Sequence, residues 1–446
     1  MGTAVCKLSV SIIKKSAALV GLGCDKNRVD GEKILGSLYE HGYTIYDSHE
    51  IFKNSSRQKI DLLVINTCAF IGAARDEAIQ AITEAVDFKR LGKIKLIAVS
   101  GCFGIALNEY CPAELKKEID FFIGAGDIGQ AYEIVEGIKK NQFRPPADSL
   151  KNTPRLLLGN PHYAFLKVAE GCDRRCSFCT IPSLRGKYVS RSIKSILDET
   201  KILLSKGIKE IIIVSQDTSS FGKDRGKRLS DLIDALDKLR NNSSKFWARL
   251  HYLYPSKVTN ELIEAIAGSD CVVPYFDIPI QHAHPDVLRL MRRPSNHIEL
   301  QKLFERIRAR FREVSLRTTI ITGHPGENKK QFDFLLSFLE SVQFDRLGVI
   351  PYSPEPGTFS ATLSASNKAD ERAKKVMELQ REISKKRLEM RIGKKYSILM
   401  DSEKFGRTEF ESPEIDGVVE VEGKRGNFVS AVIESVTEHD MKASIV

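Results

Sequence analysis

Six times between residues 161 and 391 a short apolar run ends in a polar or glycine-rich loop and gives way to a longer helix-like stretch. The runs are Phe165 to Ala169, Ile211 to Val214, Arg249 to Leu253, Tyr275 to Ile280, Leu316 to Ile321 and Leu347 to Ile350. Short apolar runs alternating with helical stretches predict parallel strands, because consecutive parallel strands need a crossover long enough to hold a helix. Six such units predict a partial (β/α)6 barrel, with its chemistry at the carboxyl ends of the strands. That topology brings the loops holding Cys172, Ser215-Gln216-Asp217 and Gln281-His282 to one mouth, although they are far apart in sequence.

The pattern changes at both ends of the chain. In the N-terminal part, strand-like runs lead into Gly21-Leu-Gly-Cys24, Val64-Ile-Asn-Thr-Cys68 and Val99-Ser-Gly-Cys102, each followed by a helix-like stretch. This predicts an open, doubly wound α/β domain whose ligands bind at the carboxyl ends of its strands. Near the C-terminus apolar positions alternate, with Gly417, Gly423 and Gly426 at turns and strands such as Gly417 to Val421 and Phe428 to Val432. A small antiparallel β-barrel follows from that pattern. Pro145, Pro146 and Pro154 mark a polar linker, and a charged helical stretch from Asn367 to Arg391 precedes the tail. The expected organisation is therefore residues 1–140, a linker at 141–160, a core at 161–391 and a tail domain at 392–446.

Charge sharpens this division. The chain has 446 residues and a net charge of +10. Residues 1–150 carry 19 Lys and Arg against 19 Asp and Glu, residues 151–391 carry 42 against 28, and residues 392–446 carry 7 against 11. The middle is basic and the tail acidic. An RNA-binding barrel should be basic, since phosphate neutralisation supplies most of the affinity. A tail of net charge −4 is expected instead to repel a phosphate backbone and attract a basic polypeptide. The competing reading is a solvated acidic face without a partner. No run is long and apolar enough for a membrane span, so the protein is expected in the cytoplasm. There, nine cysteines are expected to be metal ligands or buried thiols rather than disulfides.

The cysteines carry the chemistry. Cys172, Cys176 and Cys179 form a CxxxCxxC loop directly after a predicted strand. A structural zinc site takes four ligands, and a 4Fe-4S cluster takes one ligand per iron, so three close cysteines leave one iron open to a small molecule. The competing readings are zinc completed by a distant histidine, or three solvent-facing thiols. Phe178 before the last cysteine and the strand-loop context favour the cluster. The loop resembles that of the radical S-adenosylmethionine (SAM) enzymes. That resemblance implies SAM chelated at the open iron, with Phe178, Ser215, Gln216, Asp217, Gln281 and His282 as its surroundings at the mouth. For His282 a satisfied place on the barrel rim weighs equally. Cys24, Cys68 and Cys102 could meet at one point, and spacing alone leaves a second cluster and buried core thiols evenly matched.

Together the motif groups resemble the methylthiotransferase branch of that superfamily, over nearly the whole chain. The resemblance implies two 4Fe-4S clusters, one on Cys172, Cys176 and Cys179 and one on Cys24, Cys68 and Cys102, with no catalytic side chain beyond these ligands. Cys6, Cys111 and Cys271 fall outside both sets and read as structural thiols. Gly23-Cys-Asp-Lys-Asn27, Asn66-Thr-Cys-Ala-Phe-Ile71, Arg174-Arg-Cys-Ser-Phe-Cys179, Ser215-Gln-Asp-Thr218, Pro279-Ile-Gln-His282, Leu316-Arg-Thr-Thr319 and Ser412-Pro-Glu-Ile-Asp-Gly417 are worded like the RimO type. Enzymes of that type act on the β-carbon of an aspartate in a small-subunit ribosomal protein near the decoding centre. The tail then resembles a TRAM domain. His324 stands where an aromatic is usual, Asp25 where proline is common, and Phe103 to Leu107 lacks the expected polar residues. The resemblance further implies SAM as both methyl donor and radical source, an external electron donor, and a monomer that meets its substrate free or within the ribosome. The alternatives are a tRNA adenosine methylthiotransferase, which the acidic tail argues against, and a non-enzymatic iron–sulfur or RNA-binding protein.

Overall fold

The computed structural model describes residues 15–48, 59–140, 144–159, 162–241, 245–293, 295–364 and 366–446; Cys6 lies outside them. The chain divides into two compact units. One takes in the chain to Ala69, Ala73–Arg144 and Thr153–Leu156, and the other Phe70–Gly72, Pro145–Asn152 and Leu157–Val446. The proline-marked stretch is thus folded rather than a spacer. Residues 146–150 form a 3-10 turn with Ser149 and Leu150 buried. Arg155, in turn, pairs with the buried Glu32 at 2.5 Å within the first unit.

The first unit is a five-stranded parallel sheet of β1 (Ser16–Gly21), β2 (Thr44–Tyr46), β3 (Ile60–Thr67), β4 (Ile94–Gly101) and β5 (Phe121–Ile123), in the order β2-β1-β3-β4-β5. This is a doubly wound order, with its switch point between β1 and β3. β3 is buried along nearly its whole length, as a parallel strand covered on both faces must be. The register sets Gly21 beside Asn66 and Thr67 beside Gly101, so three neighbouring strands end level with one another.

The second unit holds six parallel strands in sequential order: β6 (Tyr163–Lys167), β9 (Glu210–Val214), β10 (Trp247–Leu250), β11 (Val272–Asp277), β12 (Ser315–Thr322) and β13 (Arg346–Pro351). Two short strands, β7 (Ala169–Glu170) and β8 (Val189–Ser190), pair beside them. β6 and β13 are the two edges, giving the open, partial barrel expected of six units. Its crossover helices carry the caps that fix their starts: Ser192 accepts from the Ser195 amide, and Asn328 and Gln331 form a reciprocal capping box. Phe332, Leu335, Phe338, Leu339 and Val342 then line one face of the helix Lys329–Val342 and bury it in the barrel core. Three strands stop earlier than expected: β6 at Lys167, β10 at Leu250 and β11 at Asp277. Tyr252 takes a left-handed φ of 61° after β10, and Gln281 one of 70° beyond β11. Such backbone is costly for residues with a Cβ and recurs where the chain must present a functional loop.

The tail closes into a barrel of β14 (Lys395–Met400), β15 (Phe405–Arg407), β16 (Val419–Glu420), β17 (Phe428–Val436) and β18 (Met441–Ile445). A Cβ on Gly417 would lie 1.8 Å from the His439 carbonyl, so only glycine fits that crossing. The tail packs on the amino-terminal ends of the six-strand sheet. Leu399 joins Trp247, Val273 and Tyr275 in one apolar cluster, and Arg407 pairs with Glu210, the first residue of β9, at 2.7 Å. No described helix is long and apolar enough to cross a membrane.

Candidate metal centres

In the second unit the strand β6 leads into Ala169-Glu170-Gly171 and then the cysteine loop. Gly171 has φ +77°, and a Cβ there would meet the Lys187 carbonyl at 2.2 Å, so the loop turns against Gly186-Lys187 without a side chain. The Cys172 amide donates to the Gly186 carbonyl at 3.1 Å, fixing the start of the loop. Glu170 is fully buried beneath it and accepts from Lys167 at 2.8 Å and Gln216 at 2.6 Å, with Arg185 at 3.4 Å. Burial pushes its carboxyl up, but the ammonium of Lys167 and the guanidinium of Arg185 hold it down to about 2.

Cys172, Cys176 and Cys179 line one cavity of about 650 Å³, together with Arg174, Lys187, Arg292 and Gly357-Thr358-Phe359. Each sulfur receives one N–H donor. The Arg174 amide reaches Cys172 Sγ at 3.4 Å, the Ile181 amide reaches Cys179 Sγ at 3.5 Å, and the Arg293 guanidinium reaches Cys176 Sγ at 3.7 Å. Burial, aided by the neighbouring cysteines, pushes the Cys172 thiol up to about 11 and the Cys179 thiol up to about 12. These are thiols until a metal displaces their protons. A donor set of three sulfurs around one roomy cavity, each with its own N–H, fits an iron–sulfur cluster with one iron left open.

None of the remaining predicted residues, Phe178, Ser215, Gln216, Asp217, Gln281 and His282, is among those that line this cavity. Phe178 packs against Val287, Met291 and Ile321, edge-on to His324. Ser215 is buried and faces Thr218 Oγ1 at 3.2 Å, while Asp217 accepts from Arg174 Nε at 2.9 Å and from the hydroxyls of Ser219 and Ser220. Gln216 and Gln281 each keep a buried amide oxygen with no protein partner among the described residues. His282 is wholly buried, accepts from the His284 amide and stands 3.3 Å from Glu327, itself bound to Arg372. Burial holds the imidazole below its ordinary value. Sequence reasoning passed over Glu170, Tyr254, Arg292 and Arg293, because none stands in a spaced motif of its own.

In the first unit Cys24, Cys68 and Cys102 follow β1, β3 and β4, the three adjacent strands that end level. Two glycines make the packing possible. A Cβ on Gly23 would lie 2.7 Å from Cys68 Cβ, and one on Gly101 would lie 2.3 Å from the Thr67 carbonyl. Both have positive φ, +92° and +88°. Asn27 Nδ2 donates to the Thr67 carbonyl at 2.7 Å, and the Leu22 amide donates to the Asn66 carbonyl at 2.8 Å, tying the loop after β1 to the end of β3. Cys68 and Cys102 are buried and Cys24 is half-buried. Three soft donors at one edge, with no side chain intervening at Gly23 or Gly101, fit a second thiolate-bound group. None of the eight described cysteines forms a disulfide. Among the described residues, no three His, Cys, Asp or Glu side chains stand at the spacing of a single bound ion. Cys111 and Cys271 lie apart from both sets, and burial raises both thiols.

Comparison with known proteins follows the same divisions. Residues 166–339 match the radical SAM superfamily, residues 16–124 the family described as uncharacterized protein family UPF0004, and residues 392–446 the TRAM domain. The ribosomal protein uS12 methylthiotransferase RimO of Carboxydothermus hydrogenoformans is 36% identical over 449 residues, covering 96% of this chain and 99% of that one. The protein of the same name from Thermotoga maritima is 40% identical over 437 residues, covering 95% and 98%. Among solved structures, the radical SAM methyltransferase TsrM of Kitasatospora setae superposes with a TM-score of 0.54 at 15% identity, over 77% of each chain, which is a likeness of fold. The chain belongs to the RimO family of radical SAM methylthiotransferases.

Proposed function

We propose that this enzyme inserts a methylthio group at the β-carbon of an aspartate in ribosomal protein uS12, using two 4Fe-4S clusters and SAM. Cys172, Cys176 and Cys179 hold one cluster, and Cys24, Cys68 and Cys102 hold the other. The observation that carries this reading is the end-to-end similarity to uS12 methylthiotransferases, at 36% and 40% identity, in a chain with a cysteine triad at the strand ends of each unit. When bound, the loop cluster supplies the electron that splits SAM, and the second supplies the site at which sulfur is carried and methylated.

The chain's own residues bind and orient. Lys187 and Arg292 on the cavity wall give the positive charge that a SAM carboxylate needs. Gln216 and Gln281 do not line the cavity, but their buried amide oxygens have no protein partner among the described residues and would accept from SAM. Ser215 and Asp217 work through neighbours: Asp217 holds Arg174 beside Cys172. Phe178, within the loop, seats it on Val287, Met291 and Ile321, and His282 is held by Glu327 and the His284 amide. The enzyme draws on an external electron donor, works as a monomer, and meets uS12 in the cytoplasm.

The test compares the masses of uS12 and of digested tRNA from cells with and without the gene. A methylthio gain on a uS12 aspartate, lost with the gene and restored by it, is expected. A gene-dependent change confined to a tRNA adenosine would replace this reading by the tRNA one. A second expectation separates the two triads: Cys172→Ala abolishes deoxyadenosine formation from SAM, whereas Cys68→Ala spares it and stops sulfur insertion. Equal loss in both would undo the division.

A further inference from the structure

Two of the three loop sulfurs receive their N–H from the backbone, but Cys176 receives its own from a side chain, Arg293, at 3.7 Å. That guanidinium is buried, with the residue only 8% exposed. Its other arm donates to the Pro279 carbonyl at 2.6 Å, and its face lies 4.4 Å from the centre of the Tyr254 ring. Among the described residues no carboxylate pairs with it. A buried guanidinium without an anion is costly, and such groups are found where a charge partner completes them.

The backbone is bent to put it there. The helix Pro285–Leu290 ends at Met291, and Arg292 then takes a left-handed φ of 53°. The Arg293 amide returns to the Leu288 carbonyl at 2.9 Å, which closes the turn and directs the side chain at the cysteine loop. A non-glycine residue held in that conformation beside a reactive site marks a constraint the fold maintains. The same loop is seated on this turn from its own side, since the Ser177 amide donates to the Met291 carbonyl at 3.1 Å and its hydroxyl to Leu290 at 2.6 Å.

We infer that Arg293 is a positioning and tuning residue whose missing counter-charge is the cluster, and that its N–H bond to Cys176 raises the cluster's reduction potential. The inference rests on the reading that Cys172, Cys176 and Cys179 hold a 4Fe-4S cluster. The physical reason is direct. Reduction adds one negative charge to the cluster, and a fixed cation with a hydrogen bond to a ligand sulfur stabilises the reduced form more than the oxidised one. Tyr254 and the Pro279 carbonyl keep the guanidinium from swinging away when the site is empty.

The test is a potentiometric titration of the full-length, anaerobically reconstituted enzyme, followed by electron paramagnetic resonance in the absence of SAM. Cys68→Ala is present throughout, so that the loop cluster alone is observed. Arg293→Met is expected to bind iron as before but to shift the midpoint to lower potential. At a fixed potential its reduced-to-oxidised ratio falls about tenfold, which for a one-electron couple is about 59 mV. Arg293→Gln, which keeps an N–H but not the charge, falls in between. An unchanged midpoint in Arg293→Met overturns the inference. So does an unchanged midpoint joined to weaker SAM binding, which would make Arg293 the partner of the SAM carboxylate. If Arg293→Met does not take up iron, Arg293→Gln decides by the same criterion. Absence of any loop-cluster signal in the Arg293 parent would instead overturn the cluster reading itself.

Discussion

His324 shows how one side chain can brace the cysteine loop through an intermediary. Its Nε2 lies 2.8 Å from Ser360 Oγ, which lies 2.8 Å from Ser177 Oγ, in the residue between two of the loop cysteines. The Ser360 amide donates to the Ser177 carbonyl at 2.8 Å, so the bracing is doubled. Burial pushes the imidazole down to about 4. An unfolded histidine takes its proton near 6.5, so between those values the unfolded chain binds more protons and stability rises with pH. As pH falls from about 6.5 to about 4, stability is therefore lost, by about 1.4 kcal/mol per pH unit for such a histidine. His282, also held low by burial, adds to the same slope. His324→Phe fills the space but removes both the proton and the bond. At pH 7 it should cost about 1 kcal/mol, and it should flatten, not abolish, the loss between pH 6.5 and 4.5 in urea unfolding midpoints. A slope unchanged by His324→Phe would show that this histidine is not the group that titrates.

At the scale of elements, the N-terminal triad depends on strands ending level and on glycines that let their loops touch. Gly101→Ala puts a Cβ 2.3 Å from the Thr67 carbonyl and strains a φ of +88°. It should destabilise the first unit by about 1–3 kcal/mol and lower its iron content, while deoxyadenosine formation from SAM persists. Gly104→Ala, two residues into the following helix with 3.9 Å of clearance, should be neutral or stabilising by up to about 1 kcal/mol. Parallel losses in both variants would make the helix, not the crossing, responsible. This level of organisation was largely legible in the chain. Ile211-Ile-Ile-Val214 reads as a buried strand, and the strand found there, Glu210–Val214, is buried throughout; a cysteine placed just after such a run lies at a strand end. The strand limits were less legible, since nothing in Arg249 to Leu253 announces that Tyr252 turns left-handed. Arg293 was not legible at all: in Met291-Arg-Arg-Pro294 it looks like surface charge, and only the returning helix and the turn at Arg292 reveal that it is buried beside a cysteine.

Across the whole second unit, the tail's acidity has a different meaning from the one its composition suggests. Asp401 bonds His162 and Arg407, Glu411 pairs with Arg391 at 2.5 Å, and Asp416 accepts from Tyr275 at 2.7 Å and faces Arg317. These carboxylates are spent on joining the tail to the base of the six-strand sheet. What remains exposed is seven acids and six bases, nearly balanced, so the surface of the tail favours neither a basic polypeptide nor a phosphate backbone. The choice of uS12 over tRNA rests on the relatives rather than on this charge. The segment from Arg407 to Asp416 instead closes the base of the barrel: Arg249, within β10, donates to Glu210 at 2.7 Å and to the Glu409 carbonyl, and His251 meets Ser412 at 2.9 Å. Arg407 is the centre of this closure, fully buried and paired with both Glu210 and Asp401. Arg407→Ala leaves the buried Glu210 and the half-buried Asp401 each short of a cation and should cost about 3–5 kcal/mol, read as a lower thermal midpoint for the barrel and tail together. Ending the chain after Arg391 should do more, exposing Trp247, Val273 and Tyr275 and leaving Glu210 with Arg249 alone, so that the shortened protein aggregates rather than folding as a free barrel. A monomeric, cluster-loaded protein ending at Arg391 would show that the tail is an appended module, and the base of the barrel would then need another explanation for its buried charges.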